Sequence, residues 1–272
     1  MFNKKIFVIA GVAVFLFAAF FVSANHSWGN YHWGRTANSF TLELGNNVSE
    51  KWTEYLNTTA TDWSLSAVLD TVVAAGKAGN PRNCKAVNGR VEVCGASYGF
   101  NGWLGIAQIW ISGEHIIKGV TKVNDTYFDT ATYDKPEWRN FVMCQEVGHT
   151  LGLGHTDEDF YNANTGTCMD YTNDPARDDG AGDNQHPNSH DHEMLEQIYA
   201  HLDSVNTVGS SDGGSGSGKG NGKGNKFGVG IDLDNPSEWG RAIKKDAQGK
   251  DSLFVRDLGK GEKVFTFVIW AR

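Results

Sequence analysis

Residues 144–155 read Cys144-Gln145-Glu146-Val147-Gly148-His149-Thr150-Leu151-Gly152-Leu153-Gly154-His155. On an α-helix, Gln145 and His149 are four apart and share one face, with Glu146 three from His149. Gly152 lets the chain leave the helix sharply, because glycine tolerates positive φ. His155 then swings back toward the same point. Three side chains converging on a metal, with a fourth position left for water, is how catalytic zinc is held. Glu146 would take a proton from water that the metal acidifies toward a pKa of ~7. Working outward, Trp138, Phe141, Val142, Val147 and Leu151 fall at helical spacing. Pro136 suits the entry and Gly152 the exit, so the spacing predicts a helix from Glu137 to about Leu151.

The segment resembles the metzincin signature His-Glu-x-x-His-x-x-Gly-x-x-His at every defining position but one, most closely that of the matrixin-like bacterial branch. Cys168-Met169-Asp170-Tyr171 follows where metzincins place a methionine turn beneath the metal. The resemblance implies an α+β fold with a twisted mixed sheet, an active-site helix and a C-terminal helix. It implies Glu146 as general base, His149 and His155 as zinc ligands, and Met169 with Tyr171 as the floor of the site. Gly105–Ile111 resembles the strand that lines the substrate cleft, so extended substrate is expected to pair along its edge. The expected activity is that of a zinc metalloendopeptidase with a protein or peptide substrate. One catalytic Zn2+ is expected, and no second, structural zinc, because residues 112–135 contain only His115.

The departure is Gln145, where the family has its first histidine. An amide oxygen is neutral and ligates, but it is a weaker zinc donor than imidazole. Three outcomes are open. Gln145 coordinates through oxygen; a histidine from elsewhere (His186, His190 or His192) completes the set; or the site binds metal poorly. The last outcome would leave a secreted binding protein that keeps the scaffold and no longer cleaves. A third idea is a metal-dependent amidase acting on a non-protein amide.

The 272 residues carry a net charge of -8, with 40% hydrophobic and 12% aromatic side chains, a globular composition. Lys4 and Lys5 precede an apolar run from Ile6 to Phe21, and Val22-Ser23-Ala24 offers a small-residue exit. Residues 1–24 therefore read as a secretory signal peptide. The mature chain is expected to be secreted, with no stable membrane association. Residues 25–204, the expected catalytic domain, hold 24 acidic against 11 basic side chains. Such a body repels phosphate backbones, which excludes nucleic acid as a partner. Asp157, Glu158, Asp159, Asp174, Asp178, Asp179 and Asp183 make calcium a candidate cofactor, with no ligands assigned.

Disulfides persist in exported proteins, and four cysteines allow three pairings. Bridging Cys84 to Cys94 across a turn at Asn88-Gly89 is the economical choice and leaves Cys144 with Cys168. Ser49 is expected to begin a helix through Leu56, Ser66–Ala75 reads as a strand with a helix as the alternative, Asn124–Phe128 reads as a strand, and a second long helix is expected from His190 to Leu202. Residues 205–226 form a Gly/Ser/Lys-rich linker, and 227–272 a small β-rich C-terminal segment with strands at Ser252–Val255 and Val264–Trp270.

Overall fold

The computed structural model describes residues 26–209 and 234–272. The expected signal peptide lies outside them, as does most of the Gly-rich run. The described chain forms strands β1 (His32–Trp33), β2 (Phe40–Asn47), β3 (Leu69–Ala75), β4 (Val91–Ala96), β5 (Trp103–Ser112), β6 (His115–Asn124), β7 (Arg241–Lys245), β8 (Asp251–Gly259) and β9 (Glu262–Trp270). Its helices are α1 (Glu50–Trp63), α2 (Asp125–Phe128), α3 (Pro136–Thr150) and α4 (Ser189–Ile198). The strands make one mixed sheet in the order β3-β2-β4-β6-β5-β9-β8-β7, with β1 also beside β6. The half made by β1–β4 and β6 is parallel, while β5 and the C-terminal strands pair antiparallel. The fold class is α+β.

The strand at 105–111 forms but is not an edge. β6 lies on one side of β5 and β9 on the other, the latter in register from Trp103–Trp270 to Ser112–Glu262. The expected open substrate edge is therefore corrected: the chain's own C-terminal strand occupies it. The reason is legible in β9, where Val264-Phe265-Thr266-Phe267-Val268-Ile269-Trp270 is buried throughout. Alternate residues of a strand face opposite sides. Phe265, Phe267 and Ile269 join the main core, whereas Val268 and Trp270 meet Trp103, Ile106, Trp239 and Phe254 on the other face. A strand buried on both faces reads as a continuous apolar run.

Two further expectations are revised. Residues 125–128 are a short helix, because the Asn124 side chain accepts from the Thr126 amide and turns the chain at once. The last helix stops at Ile198, since the Tyr199 hydroxyl is drawn inward to donate to Leu151 O at 2.9 Å. That bond is one of three that finish α3. Trp28 Nε1 donates to His149 O at 3.0 Å and Trp33 Nε1 to Thr150 O at 2.9 Å. The orphan carbonyls at the end of the helix are thus satisfied by side chains from residues 28–33 and 199. Disulfides join Cys84 to Cys94 and Cys144 to Cys168. Among the described residues no helix is long and apolar enough to cross a membrane.

Candidate metal centre

Gln145, Glu146 and His149 project from α3, and His155 follows the turn at Gly152, whose φ is +107°. Gln145, Glu146 and His149 are wholly buried and His155 nearly so. Each of the three donors is oriented by a second bond. The Gln145 amide nitrogen donates to Cys168 O at 2.6 Å and Asp170 O at 2.8 Å. His149 Nδ1 donates to Leu153 O at 2.8 Å, and His155 Nδ1 to Glu158 Oε1 at 3.0 Å. With the protons on those nitrogens, Nε2 of each neutral ring is a bare lone pair. Gln145 Oε1, His149 Nε2 and His155 Nε2 have no hydrogen-bond partner among the described residues. Buried polar atoms are normally paired. Three acceptors left bare, each held by a donated bond on its far side, fit a cation that takes all three.

The carboxamide at 145 has a reason of its own. It donates twice to the turn that contains Met169 while keeping its oxygen free, which an imidazole with one spare N–H does not do. The Cys144–Cys168 disulfide ties the same helix to the same turn one residue away. Met169 is fully buried, and its sulfur packs so closely on Gly148 that a Cβ there would stand 2.4 Å from it. Tyr171 lies under His155 with ring centroids 4.2 Å apart, and its hydroxyl donates to Val268 O on β9 at 3.0 Å.

Burial pushes the Glu146 carboxyl well above the ordinary range, and the nearby Ile269 amide, which makes no hydrogen bond to it, only weakly opposes that. Gly105 on β5 leaves room for this side chain: a Cβ there would meet Glu146 Oε1 at 2.9 Å. Burial, followed by the neighbouring His155, holds His149 well below the usual histidine value. Burial acts to raise Glu158, but the His155 N–H and the Lys244 ammonium outweigh it and bring the carboxyl down to about 2.

The other sequence candidates do not join this group. His186 Nδ1 pairs with Asp62 at 2.7 Å, the ring of His190 packs against His26, and that of His192 against Trp63. In the acidic stretch, Asp157, Asp178 and Asp179 accept from loop amides. Among the described residues those carboxylates gather into no shared cage, so the calcium expectation finds no support.

Several participants escaped sequence reasoning. Phe267 of β9 stacks on His149 at 4.0 Å with the rings 15° apart. Glu158, which orients His155, is itself held by Lys244, by Ser252 Oγ at 3.2 Å and, through its carbonyl, by the Ala247 amide at 2.8 Å. The tail thus both covers the donors and supports one of them. The one advance signal was the apolar length of residues 264–270.

Fold and site together define an α+β domain with a buried Gln–His–His donor set beside a carboxylate. No protein-family model matches the sequence, and no curated protein matches it. Among solved structures the chain is similar to high choriolytic enzyme 1, a hatching enzyme zinc-protease from the medaka fish Oryzias latipes. The TM-score is 0.34 at 10% identity, covering 62% of this chain and 94% of that one. It is also similar to myroilysin, with TM-score 0.33 at 13% identity, covering 62% of this chain and 86% of that one. Likeness at this level decides neither fold nor chemistry for this chain.

Proposed function

We propose that the protein is a secreted zinc-dependent metalloendopeptidase whose metal is held by Gln145, His149 and His155. The observation that carries this reading is the trio of bare, buried acceptors, each fixed by a donated hydrogen bond. Zinc bound there supplies Lewis acidity toward water and a scissile carbonyl. Glu146 is placed to remove a proton from water and pass it to the leaving amine, a role for which a carboxyl of raised pKa is suited. Cys168 O and Asp170 O keep the Gln145 oxygen aimed, and Glu158 keeps His155 in the tautomer that offers Nε2.

A second reading, a scaffold that binds but does not cleave, is favoured by one observation. β9 fills the position beside β5 where an extended substrate would pair, and Phe267 covers His149. The two readings separate on metal content and turnover. Mature chain (residues 25–272), purified without added metal and dialysed without chelator, is expected to carry zinc that His149→Ala removes. Glu146→Ala should keep that zinc and lower peptide hydrolysis by about 10²–10⁴-fold. Turnover that survives Glu146→Ala would sink the peptidase reading. A chain that binds zinc at His149 without cleaving any peptide, even after protease nicking of the Gly-rich run, would establish the second.

A further inference from the structure

We propose that His32, His201 and Asp203 form a second, non-catalytic zinc site that staples the amino-terminal strand to the segment after α4. The proposal goes beyond the peptidase reading and does not depend on it. His32 Nδ1 lies 2.7 Å from the Asn30 carbonyl oxygen. A carbonyl only accepts, so Nδ1 carries a proton and Nε2 is the ring atom left to ligate a metal. That atom faces Asp203 Oδ1 at 3.2 Å and His201 Nε2 at 3.2 Å. His201 Nε2 stands 3.4 Å from the same Oδ1.

The Nε2 atoms of His32 and His201 and Asp203 Oδ1 therefore make a nearly equilateral triangle. Zinc bound tetrahedrally at about 2.0–2.1 Å sets neighbouring ligand atoms about 3.3–3.4 Å apart. The triangle matches one face of that tetrahedron. His115 Nε2 reaches the same Asp203 Oδ1 from the start of β6 at 3.2 Å and lies outside the triangle, as a neighbour of the carboxylate.

The carboxylate is aimed as second-shell partners aim a metal ligand. Its other oxygen, Oδ2, accepts from the Arg35 amide at 3.1 Å and from Arg35 Nη1 at 2.7 Å. Arg35 Nη2 also donates to Tyr199 O at 2.7 Å and to His201 O, which fixes the backbone that carries two of the ligands. An ion has a way in, since the His201 side chain is 56% exposed and His32 and His201 share a surface cleft with Asn30 and Glu114.

The site has a mechanical consequence. His32 adjoins Trp33, and His201 lies two residues beyond Tyr199. Those two aromatic side chains finish α3 at Thr150 and Leu151. A metal joining their flanking residues locks both caps and so the exit of the helix that carries Gln145 and His149.

The test uses the mature chain stripped with chelator, titrated with Zn2+ alone, and read by calorimetry and by metal analysis after gel filtration. About two zinc ions per chain are expected, the rim site taking N and O ligands in the tetrahedral manner. His115→Ala combined with His201→Ala, at side chains that are partly exposed, should keep the circular dichroism of the fold and lose one ion. The zinc-dependent rise in melting temperature should go with it. His149→Ala should lose the other ion. A doubly substituted rim that still binds as many ions as the parent overturns the proposal. So does a parent whose only zinc is abolished by His149→Ala. A parent whose single ion is lost with the rim, and kept in His149→Ala, would support the rim site and sink the catalytic one.

Discussion

The donor set around His149 is sealed beneath β9, whereas the cluster around Asp203 stands half open at the surface. Both use imidazoles whose Nδ1 or backbone partners fix the free donor atom. They differ in what surrounds them. At His149, an aromatic ring from the tail excludes water, and the helix, the turn at Met169 and the disulfide hold the donors before any ion arrives. At Asp203, an arginine and a carbonyl do the aiming, and two of the three histidines remain partly exposed. The contrast shows two ways of presenting lone pairs: enclosure, which sharpens electrostatics in a dry pocket, and clamping, which joins distant parts of the chain.

Removing the seal is the strongest way to break that contrast. Phe267→Ala should destabilise the protein by about 3–5 kcal/mol, because a buried aromatic leaves a cavity over His149. Urea unfolding measures it; a loss below about 1 kcal/mol would mean that β9 does not seal the donors. By comparison, His201→Ala in metal-free protein should change stability by no more than about 0.5 kcal/mol, as for an exposed side chain.

Cutting the link between helix and turn comes next. The Cys144–Cys168 bridge closes a loop of sequence separation 24. Replacing both cysteines by serine should cost about 2–4 kcal/mol. Zinc affinity at Gln145 should fall with it, while the rim affinity stays unchanged. Equal losses at both sites would erase the distinction drawn between them.

A smaller effect is expected at Gly148. The Cβ of Gly148→Ala would meet Met169 Sδ at 2.4 Å and Trp63 at 2.8 Å. Overpacking of this kind costs about 1–3 kcal/mol. The melting temperature should drop, with a crystal structure expected to show Met169 displaced from beneath α3.

The smallest effect sharpens the comparison from outside it. His186 makes an ordinary histidine–carboxylate pair with Asp62, which raises its pKa above the usual value. The folded state then holds its proton more tightly than the unfolded chain. The stabilisation is fully present below about pH 6.5 and is lost as the pH rises through the raised folded value. His186→Ala should therefore cost less than about 1 kcal/mol at pH 5.5, an exposed pair being screened, and less at pH 8.5 than at pH 5.5. Zinc should leave this variant's stability increment untouched, unlike that of the rim variants.

Legibility followed sequence distance. The helix at 136–150 and the turn at Gly152 could be read because their residues repeat at the period of the helix and end on a glycine that needs positive φ. Gln145, Glu146, His149 and His155 all lie within that one stretch. The strands at 69–75 and 103–112 announced themselves by β-branched and alternating residues. The strand expected at 124–128 failed because a single Asn side chain bond overrode a β-prone pair of aromatics. His32 and Asp203, 171 residues apart, offered no spacing to read. Residues 112–135 hold only His115, which touches Asp203 from outside the triangle.

By itself the sequence placed a carboxylate, a carboxamide and a histidine at helical spacing, with a second histidine beyond a glycine turn. Period and turn chemistry are local, and local physics suffices to place them. Only the tertiary structure decided that the Gln145 oxygen stays bare, that β9 closes over His149, and that three histidines meet at Asp203. Those outcomes depend on contacts between segments far apart in the chain, whose partners are chosen by burial and hydrogen-bond satisfaction and leave no period in the sequence.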